Sequence, residues 1–303
     1  MTTIFGTAPG SLSDLEVIAE LGRGAETVVY RVRRHGGEYV LKVFSDVDAE
    51  QTVRREAALL GCVGHPLLPR IFEVGRTATG PYLILEYING PSLAQTLRQG
   101  PLDETRAIRL AIDLVGPLTA AHRAGLVHRD VKPDNVIMDP VGAARLIDFG
   151  LAARGGEPDD RVAGTLLYSP PEQTGMLKRP VDGRSDLYAL GVLLYECVTG
   201  RLPYESDDAG ELIRRHATAP VPDARALAPN LSPTLAEIIA TLMAKDPDDR
   251  YQSGDSLLAD LRRLAAEPGA RFPVAADQSG VQPQGAKRRG GRGDRFLKVG
   301  PPW

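Results

Sequence analysis

The periodicity of apolar residues changes once along this chain, and that change constrains its fold more than any other feature. From residue 15 to about 87 the segments EVIAEL, TVVYRV and EYVLKVF have the β-branched and aromatic content of strands, with Gly22, Gly24, Gly36 and Gly37 marking turns. One helix is expected to interrupt them over residues 49–61, with Val53, Ala57 and Leu60 at helical spacing and Gly61 as its stop, and PYLILEY follows as a buried strand. Beyond Gly90 the pattern is helical, over 92–99, 103–124, 185–200, 209–218, 232–244 and 253–266. A small strand-rich lobe therefore precedes a larger helical one, an α+β arrangement.

Composition sets outer limits. With 303 residues, 43% of them hydrophobic, and a formal net charge of -3, the chain can bury a substantial core and is not disordered throughout. Cys62 and Cys197 make no disulfide framework, and no Cys/His cluster has zinc spacing; His35, His65, His122 and His216 look equally plain. The first residues lack a basic start and an apolar signal core, and the longest apolar stretch, 189–198, is broken by Gly191 and Glu196. A soluble, cytoplasmic protein without a transmembrane anchor is the expectation. From Pro283 to Trp303 six basic residues face one acid, a net of +5, so residues 1–282 carry -8. Residues 267–303, rich in Gly, Pro, Gln and Arg, read as a disordered tail. That tail is either simply solvated, folded back on the acidic body, or a patch for an anionic partner; no specific nucleic-acid site is expected. The Arg292-Gly293-Asp294 triplet is taken as chance.

Three clusters carry chemistry. In LGRGAETVVYRV, Gly22 and Gly24 bracket a turn between strands, where absent side chains let backbone N–H groups approach phosphate oxygens; a plain hairpin turn reads equally well. Lys42 lies inside an apolar strand and needs a partner, which Glu56 on the following helix can supply, the pair then fixing a cation against phosphates. In HRDVKPDNVIM, Asp130 can accept a hydroxyl proton or orient a nucleophile, Lys132 can neutralise a transferring phosphoryl group, and Asn135 can bind a metal through its amide oxygen. Asp148, after another apolar strand, is a second oxygen ligand, and such an ordered pair on adjacent loops suits Mg²⁺.

Taken together and in order, these motifs resemble the protein kinase family, specifically the bacterial Hanks-type serine/threonine kinases, over residues 15–266. The resemblance implies a bilobal fold, with an antiparallel-sheet N-lobe (15–88) carrying one key helix and a helical C-lobe (89–266), preceded by an extension (1–14) and followed by the tail (267–303). It implies ATP- and Mg²⁺-dependent (or Mn²⁺-dependent) phosphorylation of serine and threonine in protein substrates. Leu21, Gly22, Arg23, Gly24 and Val29 match the Gly-rich loop and its flanks. Val40 matches the pocket roof, where the family usually has alanine; Leu85 matches the gatekeeper, and Glu86 through Ile88 the hinge whose backbone binds adenine. Asp130, Lys132, Lys42, Glu56 and Thr165 match the catalytic set, and Asn135 and Asp148 the metal ligands. Asp186 would brace the catalytic loop, Arg250 would pair with Glu172, and His128 would pack beneath the loop. Thr27 in place of a glycine and Tyr188 in place of a tryptophan are departures that remove no catalytic group. Leu151, after the DFG motif, is of the kind associated with serine preference, and Leu166 and Leu167 would line the site for an apolar next residue.

Regulation departs from the family habit. Arg129 precedes Asp130, as in kinases switched on by activation-loop phosphate, yet residues 151–163 contain no Ser, Thr or Tyr. Glu157, Asp159 and Asp160 stand there instead, either ordering the loop against an arginine without phosphate or simply solvated. Two other classes compete with an active protein kinase. A pseudokinase scaffold is expected to lack Lys42, Asp130 or Asp148, and a small-molecule phosphotransferase has no need of the GTLLYSPPE closure.

Overall fold

A computed structural model describes residues 12–24, 27–45, 49–77, 80–155 and 166–274. Its N-terminal part is a five-stranded antiparallel sheet of β1 (Glu16–Arg23), β2 (Thr27–Arg34), β3 (Gly37–Phe44), β4 (Ile71–Thr77) and β5 (Gly80–Glu86), in the order β1-β2-β3-β5-β4. Because side chains alternate across a strand, the sheet has two apolar faces. On one, Val32, Leu41, Tyr82 and Ile84 pack together with Leu12, whose burial draws the end of the N-terminal extension into the domain. On the other, Val40, Leu83, Leu85 and Phe44 join the main core.

The helix α1 (Glu50–Val63) packs against β4 and β5. It does not stop at Gly61, as the sequence had implied. Val53 and Leu60 are buried, so tertiary packing carries the helix through the glycine, and it ends where Gly64 takes the left-handed conformation at φ 50° and returns its N–H to the Leu60 carbonyl.

The C-terminal part is helical: α2 (Leu93–Leu97), α3 (Glu104–Arg123), α4 (Gly183–Thr199), α5 (Ala209–Thr218), α6 (Pro233–Leu242) and α7 (Gly254–Ala266). Almost every residue of α4 is buried, which makes it the central post of this lobe. It starts before the expected Ser185 because Asp182 caps it, its carboxylate accepting from Arg184 N–H. Short strand pairs carry the loops between α3 and α4: β6 (Leu126–Val127) with β9 (Ala153–Arg154), and β7 (Val136–Met138) with β8 (Ala144–Leu146). Gly90, at φ 149°, lets the chain leaving the sheet pass over β7, since a Cβ there would lie 2.0 Å from the Met138 carbonyl oxygen.

The expected tail begins too early. Residues 267–274 continue from α7 back onto the domain: Phe272 is 6% exposed within the main core, and the Thr234 hydroxyl donates to the Ala270 carbonyl at 2.6 Å. The rest of the tail, residues 275–303, lies outside the described residues, as do residues 1–11. Among the described residues no helix is long and apolar enough to cross a membrane.

Candidate active site

Lys42 lies in the middle of β3 and points to the face turned toward the helical lobe, beside Val29 of β2 and Leu83 of β5 in the strand register. Its ammonium donates to both Glu56 oxygens, at 2.8 and 3.1 Å, and to Asp148 Oδ1 at 2.8 Å. Lys42 and Glu56 are buried, 7% and 2% exposed, whereas the Asp148 side chain is 44% open to the cleft. Burial by itself would push the Lys42 pKa down, but Asp148 and Glu56 outweigh it and hold it above the ordinary value. Burial, with the like charge of Asp148, lifts Glu56. The enclosing cleft would lift Asp148 too, and there Lys42 prevails and keeps it below the carboxylate range.

Asp148 follows β8 in the left-handed conformation, φ 64°, stabilised by Gly150 N–H on its Oδ1 at 3.0 Å. Thus Oδ1 serves both Lys42 and Gly150, and Oδ2 has no hydrogen bond among the described residues. Asn135 closes a 3-10 turn, and its amide nitrogen donates to the Asp130 carbonyl (2.9 Å) and Oδ2 (2.8 Å), which turns the amide oxygen away from Asp130. Lys132 Nζ stands 2.8 Å from the same Asp130 Oδ2. The Ile147 N–H on the Asn135 carbonyl, at 2.8 Å, ties the two oxygen-bearing loops together. One carboxylate oxygen and one amide oxygen fit a hard divalent cation whose remaining ligands are phosphate oxygens and water.

The sheet supplies the roof. Gly22 faces Val29 across β1 and β2, and Val40 faces Leu85 across β3 and β5. A Cβ at Gly22 would meet no atom within 4 Å, so backbone there is open to close approach, while Gly24 N–H closes the hairpin on Thr27 oxygen at 2.8 Å. Leu21 falls at a register irregularity and is 49% exposed. The Arg23 side chain is turned aside to Glu20, at 2.6 Å, so only its backbone is placed to serve the loop. Glu86 and Ile88 lead out of β5 beneath this roof, Ile88 buried. Thr165, Glu157, Asp159 and Asp160 lie outside the described residues.

Comparison with known proteins places this constellation. The protein kinase domain model matches residues 15–260. The chain belongs to the protein kinase family. It is similar to a probable serine/threonine-protein kinase of Corynebacterium efficiens, at 32% identity over 91% of this chain and 43% of that protein. It is also similar to serine/threonine-protein kinase PknL of Mycobacterium tuberculosis, at 34% identity over 89% of this chain and 70% of that one. With PknB of Mycolicibacterium smegmatis it shares 33% identity over 85% of this chain and 44% of that protein. The chain thus spans from under half to about 70% of the length of these relatives.

Beneath the kinase cleft, Asp186 of α4 holds the loop that carries Asp130 by its backbone, accepting from His128 N–H and Arg129 N–H at 2.8 Å each. Arg129 is left-handed at φ 67°, a strain these bonds help to hold. The His128 ring meets Phe149 edge-on at 4.6 Å. Glu172 takes both ends of the Arg250 guanidinium, at 2.6 and 2.9 Å, and Ser185 as well. Tyr188 lies under that guanidinium, 4.7 Å from ring centre to Cζ. Sequence reasoning missed His122, whose Nε2 donates to Asp186 Oδ2 at 2.8 Å from the end of α3. It also missed Gln173, which donates to the Arg129 carbonyl at 2.9 Å. Neither belongs to a run of residues whose spacing would announce it.

Proposed function

We propose that this domain transfers the γ-phosphoryl group of ATP to serine or threonine hydroxyls of proteins, with a divalent cation, Mg²⁺ first. The observation that carries the reading is Lys42 bonded at once to Glu56 and Asp148, beside the Asp130, Lys132 and Asn135 cluster. The cation would be held by Asn135 and Asp148 and would neutralise phosphate charge. The hinge backbone from Glu86 to Ile88 takes the adenine edge under Val40 and Leu85, and the glycine turn covers the phosphates. Asp130 accepts the proton of the incoming hydroxyl or orients it, and Lys132 at its side neutralises the group in transit. Phosphoryl transfer asks mainly for positioning and charge, and here carboxylates hold the two lysines while backbone groups hold Asn135 and Asp148. The kinase unit is proposed to span residues 15–266 with the adjoining segment to 274.

The two free cysteines, Cys62 exposed and Cys197 buried, support a reducing, cytoplasmic setting for this domain. The absence of Ser, Thr and Tyr over residues 151–163 supports activity without loop phosphorylation. The basic tail is proposed to serve as a patch for an anionic partner.

The test is labelled ATP, Mg²⁺ and a lysate or peptide acceptors, with the phosphosites mapped, on protein prepared free of phosphate. Asp130→Asn and Asp148→Asn are expected to lower turnover by ~10²- to 10⁴-fold while the fold survives. Near-normal turnover in Asp130→Asn overturns the reading, and a lag that ends only after autophosphorylation overturns the phosphate-free part of it.

A further inference from the structure

Behind the hinge, one guanidinium connects three parts of the nucleotide site. Arg145, in the middle of β8, donates from Nη1 to Glu86 Oε1 at 3.1 Å and from Nη2 to Glu86 Oε2 at 3.2 Å. The same Nη2 donates to the Leu68 carbonyl at 3.0 Å. Leu68 belongs to the connector between α1, which carries Glu56, and β4. Glu86 opens the hinge, and Arg145 stands three residues before Asp148.

Each partner is fixed on its far side too. Glu86 N–H donates to the Arg70 carbonyl at 2.8 Å, and its Oε2 accepts Arg70 N–H at 3.2 Å. β8 is registered on β7 with Arg145 opposite Ile137, and its continuation is tied to the Asn135 carbonyl. The pair is enclosed, Arg145 14% and Glu86 21% exposed. Burial would lift the Glu86 pKa, and the bonds from Arg145 and Arg70 hold it below the carboxylate range, so the carboxylate stays charged. Arg145 Nε is buried with no hydrogen-bond partner among the described residues. An enclosed ion pair with one donor unsatisfied adds little net stability. Its worth lies in where it holds its partners.

We propose that Arg145 is a positioning residue for nucleotide selection: by gripping the Glu86 carboxylate and the Leu68 carbonyl from β8, it sets the hinge backbone at a fixed distance from Asp148. The inference rests on the adenine reading of the hinge given above. A purine edge is recognised by one donor and one acceptor on that backbone, and a shift of a fraction of an ångström weakens both bonds together.

Steady-state kinetics of the full chain with ATP and with GTP test it, on wild type, Arg145→Ala, Arg145→Lys and Glu86→Gln, with melting temperatures alongside. Arg145→Ala is expected to raise KM for ATP about tenfold and to narrow the preference for ATP over GTP, with kcat at saturating ATP changed less than about threefold, as for loss of a charge-assisted pair acting on binding. Arg145→Lys keeps the charge but not the fork, and recovers only part of the loss. If Arg145→Ala does not fold, Arg145→Lys and Glu86→Gln read the same two quantities, each expected to shift KM severalfold. A fall in kcat alone, with KM and the ATP-to-GTP ratio unchanged, marks a merely structural residue and overturns the inference while the kinase reading stands. A wild-type chain that neither binds nor turns over ATP overturns the nucleotide reading, and this inference with it.

Discussion

Lys42 and Arg250 are both buried cations facing a buried glutamate, and they differ in what else they hold. Arg250 spends all five of its N–H groups: Nη1 on Glu172 and the Arg184 carbonyl, Nη2 on Glu172 and the Lys245 carbonyl, and Nε on the Ala244 carbonyl. Three of the five acceptors are backbone carbonyls and the other two are the oxygens of one buried carboxylate, so nothing that diffuses can compete for it. Lys42 shares its ammonium between buried Glu56 and Asp148, and Asp148 opens on the cleft. On the nucleotide reading proposed above, a phosphate oxygen entering there takes the place of that carboxylate. The contrast sets a fully enclosed ion pair against one that is open to the cleft on one side.

The largest effects should break the two apart. Glu172→Ala leaves a guanidinium that cannot lose its proton inside the core, and is expected to lower stability by roughly 3–5 kcal/mol. Lys42→Ala leaves Glu56, which burial already pushes toward its neutral form, and a carboxyl that can take up a proton costs far less to strand. Lys42→Ala is therefore expected to remain folded and inactive, and Glu172→Ala to unfold early with normal turnover per folded molecule. Urea titration of both variants, with activity scaled to the folded fraction, decides it. Equal losses of stability would erase the distinction.

A smaller effect sharpens the supporting side. His216 of α5 is buried behind Tyr188, whose hydroxyl lies 2.9 Å from its Nδ1, and it meets Tyr204 edge-on at 5.0 Å. Lys245 approaches the same ring group, donating to the Tyr204 hydroxyl at 2.9 Å. Burial, with the charge of Lys245, depresses the His216 pKa from 6.5 to about 4. Between those values the unfolded chain binds the extra proton, so stability falls as pH drops from about 6.5 toward 4 and levels off below. The full depression corresponds to about 3 kcal/mol. Wild type minus His216→Gln, followed by urea unfolding across this window, isolates the slope; parallel curves would show that His216 does not titrate as its surroundings demand.

The cleft was legible in the sequence to a far greater degree than the layer that supports it. Asp130, Lys132, Asn135 and Asp148 come from short contiguous runs, because chemistry placed on loops needs neighbours at fixed offsets. The two lobes were legible because strand and helix periods differ. His122 and Asp186 stand 64 positions apart, and Arg145 and Glu86 stand 59 apart. No local pattern links either pair, and only the packing of α3 on α4, or of β8 behind the hinge, makes them neighbours. Gly61 misled for a related reason: propensity reads one residue, whereas burial of Val53 and Leu60 acts on the whole helix.

The smallest effect is expected where Phe272 closes the main core after α7. Its ring is covered by the Arg263 guanidinium at 4.3 Å, and the backbone beside it is held by Thr234 on Ala270. Phe272→Ala is expected to lower stability by about 2 kcal/mol, near the transfer value for one buried aromatic. KM and kcat should not move, since Phe272 takes no part in the bonds that hold Lys42, Asp130 and Asp148. Truncation after Ala266 removes the same ring and the Thr234 bond, and is expected to lower the melting temperature by several degrees, roughly 2–4 °C per kcal/mol for a domain of this size. Truncation after Val274 keeps both and should melt with the full chain. If the two truncated proteins melted together at the full-length temperature, residues 267–274 would add no support, and the supporting layer would end at α7.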